Sequence, residues 1–280
     1  MNNFFRRTLT GAWIVILVMG GFWLHPVSFF LTGLVMLIGT QYEYCLIIRN
    51  TGIRPQMVPG ILTGITAYAI STLIASGVIP KNSFLVLIPM LLIIMVLELY
   101  RKQEKPFDSL AHTFFSVLYT AIPFSMFPFS AFSRTGLNSL LPHESISFSP
   151  GIIIGFFILI WANDTGAYLM GVSFGRYKLM ERISPKKTWE GFFGGLIIAT
   201  LIACLLSGWL GIVDKTHWVI IAIIVSVAGT YGDLVESMLK RSIGVKDSGT
   251  IMPGHGGFLD RFDSAIISFP LVYLYISVFG

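Results

Sequence analysis

The chain has 280 residues, of which 54% are hydrophobic and only 12% charged, with a mean hydropathy of +0.77. A soluble domain carries roughly a quarter charged residues, so the composition excludes a soluble protein and identifies one that is integral to a membrane. The formal net charge of +5 fits attraction to anionic headgroups and, within the motifs below, a polyphosphate ligand; nothing favours nucleic acid.

Apolar runs of roughly 17 to 25 residues match the length of a spanning helix. They predict an all-α, polytopic protein with about nine transmembrane helices, near residues 9–24, 27–48, 58–78, 83–100, 110–132, 150–170, 190–212, 217–236 and 262–280. The first run follows Arg6 and Arg7 as in a signal peptide. No small-x-small cleavage site precedes His25 and Pro26, so the expectation is an uncleaved helix. Nine spans put all but three of the 19 Lys and Arg residues on one side, the exceptions being Lys81, Arg134 and Lys215. The positive-inside rule then predicts a cell (inner) membrane protein with cytoplasmic N-terminus and active site, and an outside C-terminus.

Residues 1–132 read as an N-terminal helical scaffold within a single membrane domain, 1–280. Glu43 and Glu98, each near the cytoplasmic end of a span, are expected to snorkel or pair rather than catalyse. Cys45 and Cys204 fall in different spans, which predicts core packing and no disulfide. Residues 133–150, rich in Ser, Asn and Pro, read as an exposed loop. The chemistry is expected in 150–280, around cytoplasmic motif loops 171–190 and 237–262.

The first polar cluster is WANDTGAYLMGVSFGRYKLMERISPKKTWEGFFGG, 161–195. Asp164 lies inside a predicted helix, where a charge costs about 2.5 to 3.5 kcal/mol, so it should face protein or a water-filled cavity. Ser184 and Pro185 read as the N-cap and first residue of a helix. That would set backbone amides beside Lys186 and Lys187, a phosphate-binding arrangement; the alternative for both lysines is a topology signal. The glycines of this region predict close helix packing.

The second cluster, GDLVESMLKR followed by SIGVKDSGTIMPGHGGFLDRFD, ends at Asp263. If the first part is helical, Asp233, Glu236, Ser237 and Lys240 share one face. Such a face suits a divalent cation beside an anionic substrate. Glycines around His255 let backbone approach a ligand; His255 itself is either a phosphate ligand or a loop histidine satisfied by backbone and water. Acids in the first turn of a last helix beginning near Leu259 would complement its dipole. That accounts for one of Asp260 and Asp263 but not for Asp233 and Glu236. Asp233 and Asp260, on neighbouring helices, offer oxygen ligands to a hard cation.

These segments resemble the signature of the CDP-diacylglycerol synthases (phosphatidate cytidylyltransferases). Ser237, Lys240 and Arg241, Lys246 and Asp247, His255 with Gly256 and Gly257, and Asp260, Arg261 and Asp263 occur in the family's order. Upstream, Ser184, Lys186, Lys187, Thr188 and Glu190 complete its Ser-Pro-Lys-Lys-Thr-x-Glu-Gly element. The resemblance implies transfer of a cytidylyl group from CTP to phosphatidate, giving CDP-diacylglycerol and pyrophosphate in phospholipid biosynthesis. It implies Mg2+, with a monovalent ion such as K+ as a second, and Asp233, Asp260 and Glu236 as metal positions. Lys240, Arg241, Lys246, Asp247 and Asp263 would be catalytic. Asp164, Ser184, Lys186, Lys187, Thr188, Glu190, Ser237, His255, Gly256, Gly257 and Arg261 would bind substrate. The implied partners are CTP, phosphatidate and membrane lipid, with a homodimer left open. Two alternatives stand beside this: a CTP-dependent kinase of a polyprenol-type lipid alcohol, attacking the γ-phosphorus, and a cation-coupled transporter using Asp164, Asp233 and Glu236. The transporter's expected inverted repeat is not visible.

Overall fold

The computed structural model describes residues 3–135, 145–245, 248–249 and 256–279. Among them, eight helical spans are long and apolar enough to cross a membrane, and a shorter apolar stretch, Gly11–Leu24, lies in the first helix. The protein is therefore an all-α, multi-pass membrane protein. The chain divides into two compact units, Met1–Pro150 with Asp247–Leu259, and Gly151–Lys246 with Asp260–Gly280.

The first unit begins with α1 (Asn3–Leu24) and α2 (Pro26–Arg49). The break between them follows from His25 and Pro26. His25 Nδ1 accepts from Val27 N at 3.1 Å, Ser28 Oγ accepts from His25 N at 3.1 Å, and Pro26 opens the new helix; a proline there loses only an N–H that would go unbonded anyway. Next come α3 (Met57–Ala75), a 3-10 turn (Lys81–Val86) leading into α4 (Leu87–Tyr100), then α5 (Pro106–Ser116) and α6 (Ile122–Ala131). A π-helical turn, Val117–Ala121, joins the last two into one span. There Ile122 N donates to Val117 O, one residue further back than in an α-helix, just before Pro123, which has no N–H to give.

Phe22 and Phe29 (ring centroids 5.0 Å apart) and Phe127 (6.0 Å from Phe22) lie in the core of this unit. Glu98 is buried and paired. Its Oε2 accepts from Gln56 Nε2 at 2.6 Å and from Arg101 at 2.8 Å, while Arg101 also donates to the Arg54 carbonyl at 2.8 Å. The three loop ends are thereby tied at one point.

The expected loop at 133–150 is in part a hairpin, since β1 (Phe132–Thr135) pairs antiparallel with β2 (Ser145–Phe148). Alternation over FSRT and SISF is too short to stand out in sequence, and pairing settles it. The residues between, 136–144, lie outside the described ones.

The second unit contains α7 (Gly151–Phe174), a hairpin of β3 (Lys178–Met180) and β4 (Ser184–Thr188), α8 (Trp189–Leu210), α9 (Lys215–Ser242) and α10 (Leu259–Phe279). Glycines let α7 and α8 touch backbone to backbone. A Cβ on Gly195 would sit 2.7 Å from the Asn163 carbonyl, and one on Gly191 2.8 Å from the Ala167 carbonyl. Such close approach is how helices associate where lipid removes the hydrophobic drive between them. Nearer the start of α7, Phe156 meets Phe269 of α10 edge-on at 5.0 Å. The buried Ser268 hydroxyl on α10 satisfies itself along its own backbone, donating to Ser264 O at 2.6 Å, as hydrocarbon surroundings favour.

Candidate active site

Helix α9 runs to Ser242, six residues beyond the expected end at 236, so Ser237, Lys240 and Arg241 stand on a helix and not in a loop. The apolar run stops at Asp233, but the backbone ladder continues because polar side chains there have partners. Ser237 Oγ donates to Asp233 Oδ1 at 3.1 Å. One turn along, Lys240 Nζ is 2.5 Å from Glu236 Oε2 and 2.6 Å from Asp260 Oδ1. The Asp233–Ser237 and Glu236–Lys240 pairs are i, i+4 neighbours of one helix face, whereas Asp260 reaches Lys240 from α10.

Helix α10 places Asp260 and Asp263 in its opening turns. Gly232 lets the two helices close, because a Cβ there would lie 2.7 Å from the Asp263 carbonyl. Asp233, Glu236 and Asp263 each put a carboxylate oxygen within 4.8 Å of the others. Asp263 is buried and accepts from Ser264 N at 2.6 Å. Glu236 is 0% exposed, and its Oε1 has no hydrogen-bond partner.

Strand β4 brings in the opposing charge. Lys187 Nζ lies 2.6 Å from Asp233 Oδ2 and donates to the Thr230 carbonyl at 3.4 Å. Lys186, Lys187, Asp164, Asp233 and Thr230 line one cavity of about 330 Å³, within the range of small-molecule sites. Asp164, expected to face protein or water, is exposed into it.

Several expectations change. Ser184 and Pro185 do not start a helix; they lie in β4, and Thr188 is the N-cap of α8, its Oγ1 accepting from Gly191 N at 3.2 Å. Pairing of the segment with β3 wins over the Ser-Pro capping preference, and the helix starts four residues later. Lys186 and Lys187 therefore precede the helix N-terminus on a strand. Glu190 is occupied with backbone, accepting from Tyr177 N at 3.2 Å. Asp263 joins Asp233 and Glu236 in the carboxylate group, and Asp260, the other expected metal position, lies next to it, bridged to Glu236 through Lys240 Nζ. Arg241 and Arg261 are exposed. Lys246, Asp247 and His255 lie outside the described residues. Gly256 has φ +81°, the left-handed backbone that favours glycine. Gly257 is buried in the first unit, close against Glu43. Sequence reasoning missed Glu43 as part of the motif segment; its only signal is an acid alone in an apolar helix.

Three acids held together in an apolar helical protein, with one buried oxygen unpartnered, form an all-oxygen set suited to a hard cation. They fit magnesium. A model of the cytidylyltransferase family matches residues 5–279. The chain belongs to that family. Within this cytidylyltransferase family it is 39% identical over 172 residues to the phosphatidate cytidylyltransferase of Staphylococcus epidermidis, covering 58% of this chain and 66% of that one. It is 41% identical over 172 residues to the protein of that name from Staphylococcus saprophyticus, with the same coverage. Against that of Bacillus subtilis it is 46% identical over 124 residues, 44% of this chain and 46% of the relative. The chain thus spans just under two thirds of the length of the first of these curated relatives.

Proposed function

We propose that this protein transfers the cytidylyl group of CTP to phosphatidate, forming CDP-diacylglycerol and pyrophosphate. The observation that carries the reading is the meeting of Asp233, Glu236 and Asp263 beside a cavity lined by Lys186 and Lys187. Family membership and the names of the relatives support the choice of nucleotide and lipid.

The reaction brings two anions together. A phosphate oxygen of phosphatidate forms a bond to the α-phosphorus of CTP, and the bond from that phosphorus to the bridging oxygen of the β-phosphate breaks, releasing pyrophosphate. No covalent intermediate with the protein is needed. Asp233, Glu236 and Asp263 would hold magnesium, which when bound supplies positive charge that offsets phosphate repulsion. Lys186 and Lys187 bind and orient phosphate oxygens in the cavity, where partial exclusion of water strengthens each contact. Lys240 keeps Glu236 and Asp260 in fixed positions, so the acids are placed before substrate arrives. A monovalent ion such as K+ belongs to the same proposal as a second cation.

The proposed topology is a cytoplasmic N-terminus and site, with the C-terminus outside, supported by the lone placement of Lys81, Arg134 and Lys215 opposite the other basic residues. A reporter fused after Gly280 should signal outside the cytosol; a cytosolic signal would overturn it. For the reaction, purified protein in detergent with phosphatidate, magnesium and α-labelled CTP should yield labelled CDP-diacylglycerol. Labelled CDP with a phosphorylated lipid would instead mean γ-phosphoryl transfer, and no product would sink both.

A further inference from the structure

Glu43 sits on α2, 0% exposed, in the unit that also contains Asp247–Leu259. A buried carboxylate is costly unless hydrogen-bonded, and this one takes its bonds from residues more than 200 positions away. Its Oε2 accepts from Leu259 N at 2.9 Å and from Ser248 Oγ at 3.2 Å. Leu259 is the first residue of α10, so the carboxylate satisfies one of the N–H groups that a helix start leaves unbonded.

The segment fits around the carboxylate because it is built of glycine there. A Cβ on Gly249 would lie 2.7 Å from Glu43 Oε1, and one on Gly257 would collide with both the Glu43 carboxylate and Ser248 Oγ. A second contact on the same face of α2, one turn away, repeats the design. Gly39 receives the Phe258 ring, 2.6 Å from where its Cβ would be.

We propose that Glu43 is a positioning residue for the reaction: its buried carboxylate is the post against which Ser248, Gly249 and residues 256–259 pack, fixing Gly256, Gly257 and the residue that precedes Asp260. The proposal rests on the cytidylyl-transfer reading for its catalytic consequence and on the geometry alone for its structural one.

Both parts are measured on purified full-length protein, by amide hydrogen exchange and by steady-state kinetics with CTP and phosphatidate. Glu43→Ala should raise exchange at 256–259 at least 10-fold, leave α7 and α8 amides unchanged, and lower kcat at least 30-fold. Glu43→Gln keeps an acceptor oxygen for Leu259 N and Ser248 and should retain a third or more of kcat. Unchanged exchange at 256–259 in Glu43→Ala would overturn the proposal. Raised exchange with unchanged kcat would also overturn it, leaving Glu43 a structural contact only. If Glu43→Ala does not fold, a double-mutant cycle decides: Gly257→Ala should lose turnover, and adding Glu43→Asp, shorter by one methylene, should restore part of it. Additive losses would count against the proposal. If the wild-type protein makes no CDP-diacylglycerol, the reaction reading falls, while the exchange result still decides whether Glu43 shapes the segment.

Discussion

Lys187 Nζ lies 2.6 Å from Asp233 Oδ2, joining the strand before α8 to the acidic face of α9. The lysine therefore has two duties, as counter-charge to Asp233 and as donor toward the cavity.

That double duty sets the first prediction. Lys187→Ala should lower cytidylyl transfer roughly 30-fold to 1000-fold, corresponding to about 2 to 4 kcal/mol of transition-state stabilisation lost where water is partly excluded. Lys215→Ala, removing a charge at the far end of α9, should change the rate little, because solvated charges are screened within about 8 to 10 Å. Equal small effects would reduce Lys187 to a topology signal.

The carboxylates are separable by their response to magnesium. Asp233→Asn and Asp263→Asn should each abolish turnover at ordinary magnesium, and the double variant should be no worse than either, since ligands of one ion act as a unit. Asp260→Asn should lower kcat without raising the magnesium needed for half-activation, because its structural partner is Lys240. A magnesium titration that ranks Asp260 with Asp233 and Asp263 apart would reverse the assignment.

The start of α8 gives a stability test. Thr188→Ala removes the N-cap acceptor of Gly191 N and should cost about 1 kcal/mol, seen as a lower thermal midpoint in detergent. Ser184→Ala, in β4, should stay within about 0.5 kcal/mol. The opposite ranking would restore Ser184 as the cap.

Two glycines of α8 should behave oppositely. Gly195→Ala must push into the Asn163 carbonyl of α7 and should destabilise. Nothing lies within 4 Å of a Cβ on Gly208, so Gly208→Ala should gain about 0.5 to 1 kcal/mol of helix propensity. Thermal midpoints of the two variants, measured side by side, check the contrast.

The spans were legible because hydropathy is a property of each segment alone. The face holding Asp233, Glu236, Ser237 and Lys240 was legible too, since helical periodicity fixes it. What the sequence could not show was pairing. Ser184 and Pro185 have the right local chemistry for a helix start, yet β3 captures them as a strand. Asp260 and Asp263 are three residues apart on one helix, and only the rotation of α10 against Gly232 decides which of them meets Asp233. Glu43 was hidden for the same reason: its partners are 205 and 216 residues away, and nothing near it in sequence foretells them.

Helix α4 is almost entirely apolar, and of its residues only Ile94 and Glu98 are buried; Leu92, Ile93 and Val96 are each more than half exposed. Its firm attachment is the Glu98, Gln56 and Arg101 knot at its C-terminal end. Apart from the face that buries Ile94, its neighbour is meant to be acyl chain, so this helix is held like a hinged stave, pinned near one end and steadied elsewhere by the surrounding lipid. Stripping lipid would thus act on the fold first here, far along the chain from the carboxylates.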